Sequence, residues 1–473
     1  MSGSGAPLIT DATPAHTEWR PRESALTAGV AVVDITPPVG IRAHNWGAAR
    51  IGHATGVHRP LTASALAITD DTGTRWVLTV DLGWWHSVAV FSSVFDPLAA
   101  ALGVTDDRLL LHLVHTHAGP SLAEGGLDLP GSELVEPYRV ALVDALIAAC
   151  RTAAAEATPA VATWAYGSCA MAVNRDLACG DRDVLGFAPD KPADTTVAVG
   201  RVASPEGRLR AVLVNYACHP TTLAHENSLL SPDYIGATRD VVTGATGVPC
   251  LFFQGASGDL SPREQYGPGT ADTDRHGRAL GHAVLSTLEN MGAPSTQLRF
   301  DGVVESGAPL GIWSEHPAQP SSSTAFHRSH VTLACQPVRT AEEVARRWAR
   351  IDPVAAAERI ARSERLAVGY REGATARHPF WVWQVGDAVV VAHPGEACSP
   401  LQTVLRERHP ERVLFVLNLT NGPGFMYLPD AEAYDHDRYQ TWQTLLARGC
   451  LEELIEATDS FIRELPPARE VQA

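Results

Sequence analysis

The stretch Leu109–Pro120, LLLHLVHTHAGP, joins an apolar run to two closely spaced histidines. The apolar part predicts a buried strand. Side chains alternate faces along a strand, so His115 and His117 would project from the same side if the strand continues through them. One imidazole could then bind a metal while the other does chemistry beside it. With 19 histidines in 473 residues, one such pair arises easily by chance, and its meaning depends on the rest of the chain.

Two kinds of pattern alternate along the chain. Short β-branched and leucine-rich runs predict buried strands, at 76–80, 210–216 and 413–417. Alanine-rich or helically spaced stretches predict helices, at 138–155, 275–288, 340–350 and 442–465. This alternation predicts an α/β fold, a mixed β-sheet core flanked by helices, with active residues in loops at strand ends.

The domain organisation predicted is one large catalytic domain with insertions, at 28–473. Residues 1–27 are rich in Pro, Thr and Ser and lack periodicity, so they predict a flexible N-terminal tail. Residues 317–323 form a loop-like cluster that could mark a break. Residues 340–377 predict a helical insertion near the entrance for a substrate.

Composition narrows the class of protein. A chain with 45% hydrophobic and 19% charged residues is an ordinary globular protein. Its net charge of -16 argues against nucleic acid and anionic membrane surfaces as partners. Eight cysteines without a CxxC pair give no support to a zinc ribbon or a thioredoxin-like site. The sequence shows no signal peptide and no apolar run long enough for a membrane span, so we expect a cytoplasmic protein; its oligomeric state stays open.

Further motifs occur in a fixed order along the chain. They are GVAVVDITPP (29–38), GVHRPL (56–61), VDL (80–82), HTHAGP (115–120), VNR (173–175), NYACHPTT (215–222), GDLSP (258–262), PGE (394–396) and YLP (427–429). Together they resemble the catalytic domain of the neutral ceramidase family, zinc-dependent hydrolases of N-acyl amides. The resemblance runs from Gly29 to the C-terminal helix, and we expect no counterpart of that family's C-terminal immunoglobulin-like domain.

The resemblance implies one Zn²⁺ per chain, held by His115, His219, Glu396 and Tyr427. A catalytic zinc keeps about three protein ligands and an open position. Taken singly, the two histidines could be hydrogen-bonded core residues, Glu396 a loop carboxylate and Tyr427 a packed core residue. Their joint occurrence in the order of the family's motifs favours metal binding. Tyr427 departs from the pattern, because the preceding glycine is missing and one residue is inserted. The same donors also suit Mn, Fe or Co.

Three further residues are predicted to take part in catalysis. His117 is the candidate for moving a proton or stabilising an oxyanion, or it only orients a metal ligand. Arg175 could hold an oxyanion or a substrate acid, or simply pair with Asp176. Ser261 is interpreted as a hydrogen-bonding group for water or the substrate carbonyl, with a nucleophilic role left open. The nucleophile pattern GxSxG is absent, which disfavours a serine hydrolase.

The predicted function is zinc-dependent hydrolysis of an N-acyl amide to an amine and a carboxylic acid. The acidic charge, with no secretion signal visible, favours a small soluble molecule or a single-chain acyl compound over membrane ceramide. Two alternatives remain. One is a catalytically inactive protein of the same fold that binds zinc or a ligand, and the other is a metal-dependent esterase or lactonase.

Overall fold

The computed structural model describes residues 14–123, 129–180, 182–365, 371–423 and 427–467. The strands in these ranges are β1 (Glu18–Trp19), β2 (Arg22–Asp34), β3 (Gly56–Val57), β4 (Thr62–Asp70), β5 (Gly73–Val80), β6 (Leu109–Leu113), β7 (Thr158–Ser168), β8 (Ala172–Asn174), β9 (Asp176–Cys179), β10 (Arg182–Leu185), β11 (Thr196–Ala203), β12 (Leu209–Tyr216), β13 (Leu229–Leu230), β14 (Cys250–Gln254), β15 (Leu260–Pro262), β16 (Thr296–Glu305), β17 (Pro309–Pro317), β18 (Thr324–Ala334), β19 (Arg371–Glu372), β20 (Thr375–Val385), β21 (Ala388–Ala392), β22 (Glu396–Ala397), β23 (Val413–Leu417) and β24 (Tyr427–Leu428). The helices are α1 (Val88–Leu102), α2 (Val135–Ala155), α3 (Tyr234–Thr246), α4 (Thr270–Glu289), α5 (Ala341–Trp348), α6 (Pro353–Arg365), α7 (Pro400–Arg408), α8 (Ala431–Asp435), α9 (Tyr439–Trp442) and α10 (Cys450–Glu464).

The largest sheet has eight strands in the order β14-β12-β11-β7-β2-β4-β5-β6. Its neighbours are antiparallel except at the two edges, where β12 and β14 run parallel, as do β5 and β6. The sheet curls enough for the edge strands to touch. The backbone N–H of Gln254 donates to His112 Nε2 over 2.9 Å, and the Thr79 hydroxyl donates to the Phe252 carbonyl over 2.6 Å. Loops that follow opposite edges of the sheet therefore lie side by side.

Four layers enclose the core. On one face of the large sheet, α1 and α2 cover the strands around β5, while α3 and α4 cover those around β12. The other face packs on a second sheet, β18 to β21 with β23, through residues such as Trp164, Trp381 and Phe415. Helices α7 and α10 cover the far side of this second sheet. The predicted α/β class with a mixed sheet is confirmed.

Most predicted elements match observed ones. The strands predicted at 76–80, 210–216 and 413–417 lie in β5, β12 and β23, and the helices at 138–155 and 275–288 lie in α2 and α4.

Two predicted helical segments differ from the observed elements. The helix predicted at 442–465 is interrupted between α9 and α10, because the chain turns at Gly449 with a φ of 94°. The segment 340–377 forms α5 and α6 and then returns to strand at 371–377, while 366–370 lie outside the described residues. None of the helices in the described ranges is long and apolar enough to cross a membrane.

The predicted N-terminal tail is wrong for residues 18–27. Residues 22–27 form the first half of β2 and pair with β7, and β1 pairs with β16. The buried carboxylate of Glu23 accepts hydrogen bonds from the Thr163 hydroxyl and the Ser295 backbone N–H, both over 3.1 Å. These long-range bonds override the polar, aperiodic composition that suggested a mobile segment. Residues 1–13 lie outside the described part of the chain.

We predict that Gly29→Ala weakens the attachment of α2 to the large sheet. A Cβ at Gly29 would lie 2.1 Å from the carbonyl oxygen of Ala153, a distance that only a shift of the helix can relieve. The free energy of unfolding should fall by about 1–3 kcal/mol in urea titrations followed by circular dichroism. Gly244→Ala is the control, since nothing lies within 4 Å of its Cβ and it should gain about 0.5–1 kcal/mol in a helix. Unchanged stability of Gly29→Ala would contradict the packing described.

Candidate metal centre

The four side chains predicted as metal ligands converge on one buried point. His115 Nε2 lies 3.0 Å from His219 Nε2 and 3.2 Å from Glu396 Oε2. His219 Nε2 lies 3.4 Å from the same carboxylate oxygen and 3.3 Å from the Tyr427 hydroxyl. All four residues are buried. Segments more than 300 residues apart in the chain thus meet at this centre.

Hydrogen bonds on the far side of each ring set the tautomers. Nδ1 of His115 bonds the Gly83 carbonyl over 3.0 Å, and Nδ1 of His219 bonds the Ser257 carbonyl over 2.7 Å. A carbonyl can only accept, so Nδ1 holds the hydrogen and Nε2 presents a lone pair. Two lone pairs and a carboxylate therefore face each other without a hydrogen between them. A cation stabilises such a group, and imidazole nitrogens with carboxylate and phenol oxygens form a donor set that suits Zn²⁺.

The backbone around His115 differs from the strand expected. β6 ends at Leu113, and His115 has a φ of 71°, in the left-handed region. The prediction that His115 and His117 share one face of a strand is therefore wrong. The His115 N–H donates to the Leu82 carbonyl over 2.9 Å, which ties this loop to the segment after β5. The turn still brings the rings of His115 and His117 together, with centroids 4.8 Å apart.

Glu396 and Tyr427 enter the centre from a small parallel ladder. They are the first residues of β22 and β24, and they are direct partners in its register. Residues 425–426, where the motif departs from the expected pattern, lie outside the described residues. The inserted residue does not prevent the Tyr427 hydroxyl from reaching His219.

His117 lies within reach of the same centre but makes no hydrogen bond. Both of its ring nitrogens are buried without a partner in the described part of the chain. Its ring packs between Trp46 and Trp84, at centroid distances of 5.0 and 5.1 Å. Each of His115, His117 and His219 offers a nitrogen within 4.8 Å of the others. This position suits either a group that transfers protons or a third imidazole ligand.

Burial and charge set the protonation of the centre. Burial lowers the pKa of His219 to about 3 and that of His117 well below its ordinary value, so both rings are neutral at pH 7. The pKa of Tyr427 is raised by burial and by Glu396. An ionised carboxylate beside neutral imidazoles is the state that binds a metal.

Arg175 lies behind the candidate ligands. Its Nε and one terminal nitrogen donate to the Gly258 carbonyl over 3.1 and 2.7 Å, and that terminal nitrogen also donates to the Tyr427 hydroxyl over 3.2 Å. It is buried and is not among the side chains that line the adjacent cavity. The guanidinium therefore holds Tyr427 in place from the protein side.

Ser261 is buried in β15, and its hydroxyl accepts a hydrogen bond from Gln265 Nε2 over 2.8 Å. Among the described contacts, this hydroxyl meets none of the candidate ligands, and it does not line the cavity. The neighbouring Asp259 accepts hydrogen bonds from the Ser399 backbone N–H and hydroxyl, over 2.6 and 2.7 Å. The His219 N–H donates to the Leu260 carbonyl over 3.1 Å, so the GDLSP segment helps to position the loop around His219.

A cavity of about 520 Å³ opens onto the centre. One wall is aromatic and another is charged, and the side chains that define them are Trp46, Trp84, His86, Glu358, Arg362 and Tyr439. Two of these lie on α6, so the predicted insertion forms part of the cavity wall. Sequence reasoning missed this set. Two signals in the sequence could have found it: the run Trp84-Trp85-His86 shortly after β5, and the i,i+4 pair of Glu358 and Arg362.

Comparisons with known proteins agree with this architecture. No family model matches the chain. A stretch of 234 residues, 46% of this chain and 34% of the relative, is 27% identical to neutral ceramidase of Pseudomonas aeruginosa. The match thus spans about a third of the length of that curated relative. The crystal structure of neutral ceramidase from Pseudomonas aeruginosa superposes with a TM-score of 0.65 at 18% identity, covering 95% of this chain and 77% of that one. A structure described as ceramidase complexed with C2 gives a TM-score of 0.63 at 16% identity, with the same coverage.

Fold and centre together define a layered α/β protein with a buried cluster of histidines that can hold a metal ion. The chain is similar to neutral ceramidase in sequence over part of its length and in fold over 95% of it, and the resemblance read from its motifs is confirmed.

We predict that purified protein contains about one metal ion per chain, and that His115→Ala and His219→Ala lose it. Each substitution removes a lone pair from the converging set, leaving too few ligands for tight binding. Elemental mass spectrometry measures the content. His225→Ala removes an exposed histidine outside the centre and should keep the metal. Metal retained in both ligand variants would contradict the site.

Proposed function

We propose that this protein is a zinc-dependent hydrolase that cleaves an N-acyl amide to an amine and a carboxylic acid. The observation that supports it is the convergence of His115, His219, Glu396 and Tyr427 beside a cavity, with His117 unbonded at its edge. The likeness to neutral ceramidase supports amide cleavage as the reaction. We also place the protein in the cytoplasm, supported by eight free cysteines, six of them buried.

His115, His219 and Glu396 would hold the zinc, with Tyr427 completing the set. When bound, Zn²⁺ supplies a Lewis acid that polarises an acyl carbonyl and brings the pKa of water to roughly 7. Glu396 offers a charge that lowers the cost of holding a dication in this buried position. The carbonyls of Gly83 and Ser257 keep the two imidazole rings aimed at one point.

His117 would handle the proton. The attacking water must lose a proton and the departing amine must gain one. Burial keeps His117 neutral, so an unbonded ring nitrogen can accept the first proton and later donate it. The rings of Trp46 and Trp84 exclude water from its faces and fix its orientation. Arg175 acts through Tyr427, because it donates a hydrogen bond to the hydroxyl of that side chain and so positions it.

The cavity favours a small soluble substrate or a single acyl chain. Its walls combine indole rings with the ion pair of Glu358 and Arg362, whose atoms approach to 2.6 Å. Arg362 also donates to Gln443 over 3.0 Å and to the Tyr439 hydroxyl over 3.3 Å, so this polar wall is rigidly held. Two hydrocarbon chains would have to desolvate these charges without replacing their hydrogen bonds.

The test is hydrolysis of a panel of amides by the zinc-loaded protein, with released amine measured. The panel contains N-acetyl aromatic amines, single-chain N-acyl amino alcohols and ceramide in detergent micelles. We expect turnover of the first two classes to exceed that of ceramide and to stop when a chelator removes the metal. Cleavage of simple acyl esters without any amide would instead support an esterase, and stoichiometric zinc without turnover would support a binding protein.

His117→Ala should separate proton transfer from metal binding. If the ring moves protons, the variant keeps its zinc and loses about 10²–10⁴-fold in kcat. Zinc content and kcat are measured on the same preparation, with His225→Ala as the control. Loss of zinc equal to that of His219→Ala would make His117 a ligand instead.

A further inference from the structure

A second pocket lies on the other side of the insertion from the candidate metal centre. It is a small cavity of about 80 Å³ between α5, α6 and the segment around α9. Four arginines line it: Arg339, Arg347, Arg359 and Arg371. The whole chain has a net charge of -16, so four guanidinium groups around one concavity are a local reversal of its charge.

Few carboxylates balance these arginines. Among the described residues, Arg347 alone has an ion-pair partner, Asp437, at 2.6 Å. Arg371 donates a hydrogen bond over 3.0 Å to the Gln336 carbonyl, which is an uncharged acceptor. Arg339 and Arg359 make no hydrogen bond or ion pair with the described part of the chain. The carboxylate of Glu343 attracts Arg339 only from beyond ion-pair distance, and the carboxylate of Glu358 attracts Arg359 in the same way.

Two indole rings hold the arginine planes in place. Trp348 and Trp442 pack against each other with centroids 4.5 Å apart. The guanidinium carbon of Arg359 lies 4.4 Å from the Trp348 centroid and 4.8 Å from that of Trp442. Arg347 lies over the same pair, 4.9 Å from Trp348. Stacking of this kind leaves the in-plane N–H groups of a guanidinium available to bind an oxyanion in a two-point contact.

We propose that this arginine pocket is a binding site for a small oxyanion, a phosphate or a carboxylate group. The anion would neutralise Arg339 and Arg359 and bond N–H groups that no described residue uses. The pocket was not expected from the sequence, where its arginines are spread over more than 30 residues. It is separate from the candidate metal centre. Helix α6 divides the two, with Arg359 on the arginine pocket and Glu358 and Arg362 on the cavity wall.

The experiment is isothermal titration of the full chain with inorganic phosphate and, separately, succinate, each against sodium chloride at equal ionic strength. We expect saturable binding of at least one anion, and the tighter of the two identifies the anion chemistry. Because phosphate can also bind a metal, the titration is repeated with metal-free His219→Ala. Binding should persist there, which separates this pocket from the metal centre.

Two substitutions locate the site. Arg359→Gln and Arg339→Gln should each weaken binding about tenfold or more, the loss expected when one charge-assisted contact is removed. Arg339 is exposed, so its variant tests the charge even if Arg359→Gln disturbs the stacking. Arg346→Gln is the matched control, since this neighbouring arginine lies outside the pocket and should bind as the wild type does. No saturable binding by the wild type, or binding by both Arg339→Gln and Arg359→Gln as tight as that of the wild type, would overturn the proposal.

Discussion

The hydrogen bonds from His115 to the Gly83 carbonyl and from His219 to the Ser257 carbonyl set the chemistry of the centre. They fix the hydrogen of each ring on Nδ1, so that both Nε2 lone pairs face Glu396. The reverse tautomer would place an N–H against the other ring and leave a carbonyl without its donor. A metal centre here therefore depends on the loops after β5 and β14, which carry Gly83 and Ser257. The curl of the large sheet, which brings its edge strands into contact, places these two loops side by side.

The insertion of α5 and α6 gives this fold two different pockets. One side of α6 places Glu358 and Arg362 in the cavity beside the metal centre, and the other side places Arg359 against two stacked indoles. One helix can line both pockets, because the side chains of consecutive residues point about 100° away from each other around the helix axis. Tyr439 and Trp442, three residues apart on α9, contact one another and line the two pockets respectively. Polar and aromatic groups from few elements thus shape both sites.

Local sequence patterns predicted the positions of helices and strands better than they predicted the segments that connect or flank them. Buried strands such as β5 and β12 have continuous apolar runs, which the local sequence shows directly. The tail prediction failed at residues 22–27, because the acceptors and donors that fix this strand come from β7 and from Ser295, far along the chain. The prediction that the strand continues through His117 failed for a similar reason. A positive φ at His115 is stabilised by a bond to Leu82, which no local periodicity reports.

By itself, the sequence determined the α/β class, because strand and helix periodicity are local properties of the chain, and the resemblance of its ordered motifs to the neutral ceramidase family supplied the candidate metal ligands. Tertiary structure alone decided which of these residues meet. It joined Glu396 to Tyr427 in a two-residue ladder, set the histidine tautomers through backbone carbonyls, and moved Ser261 away from the cavity. Those outcomes depend on distances between segments hundreds of residues apart, and such distances are set by the packing of whole sheets and helices.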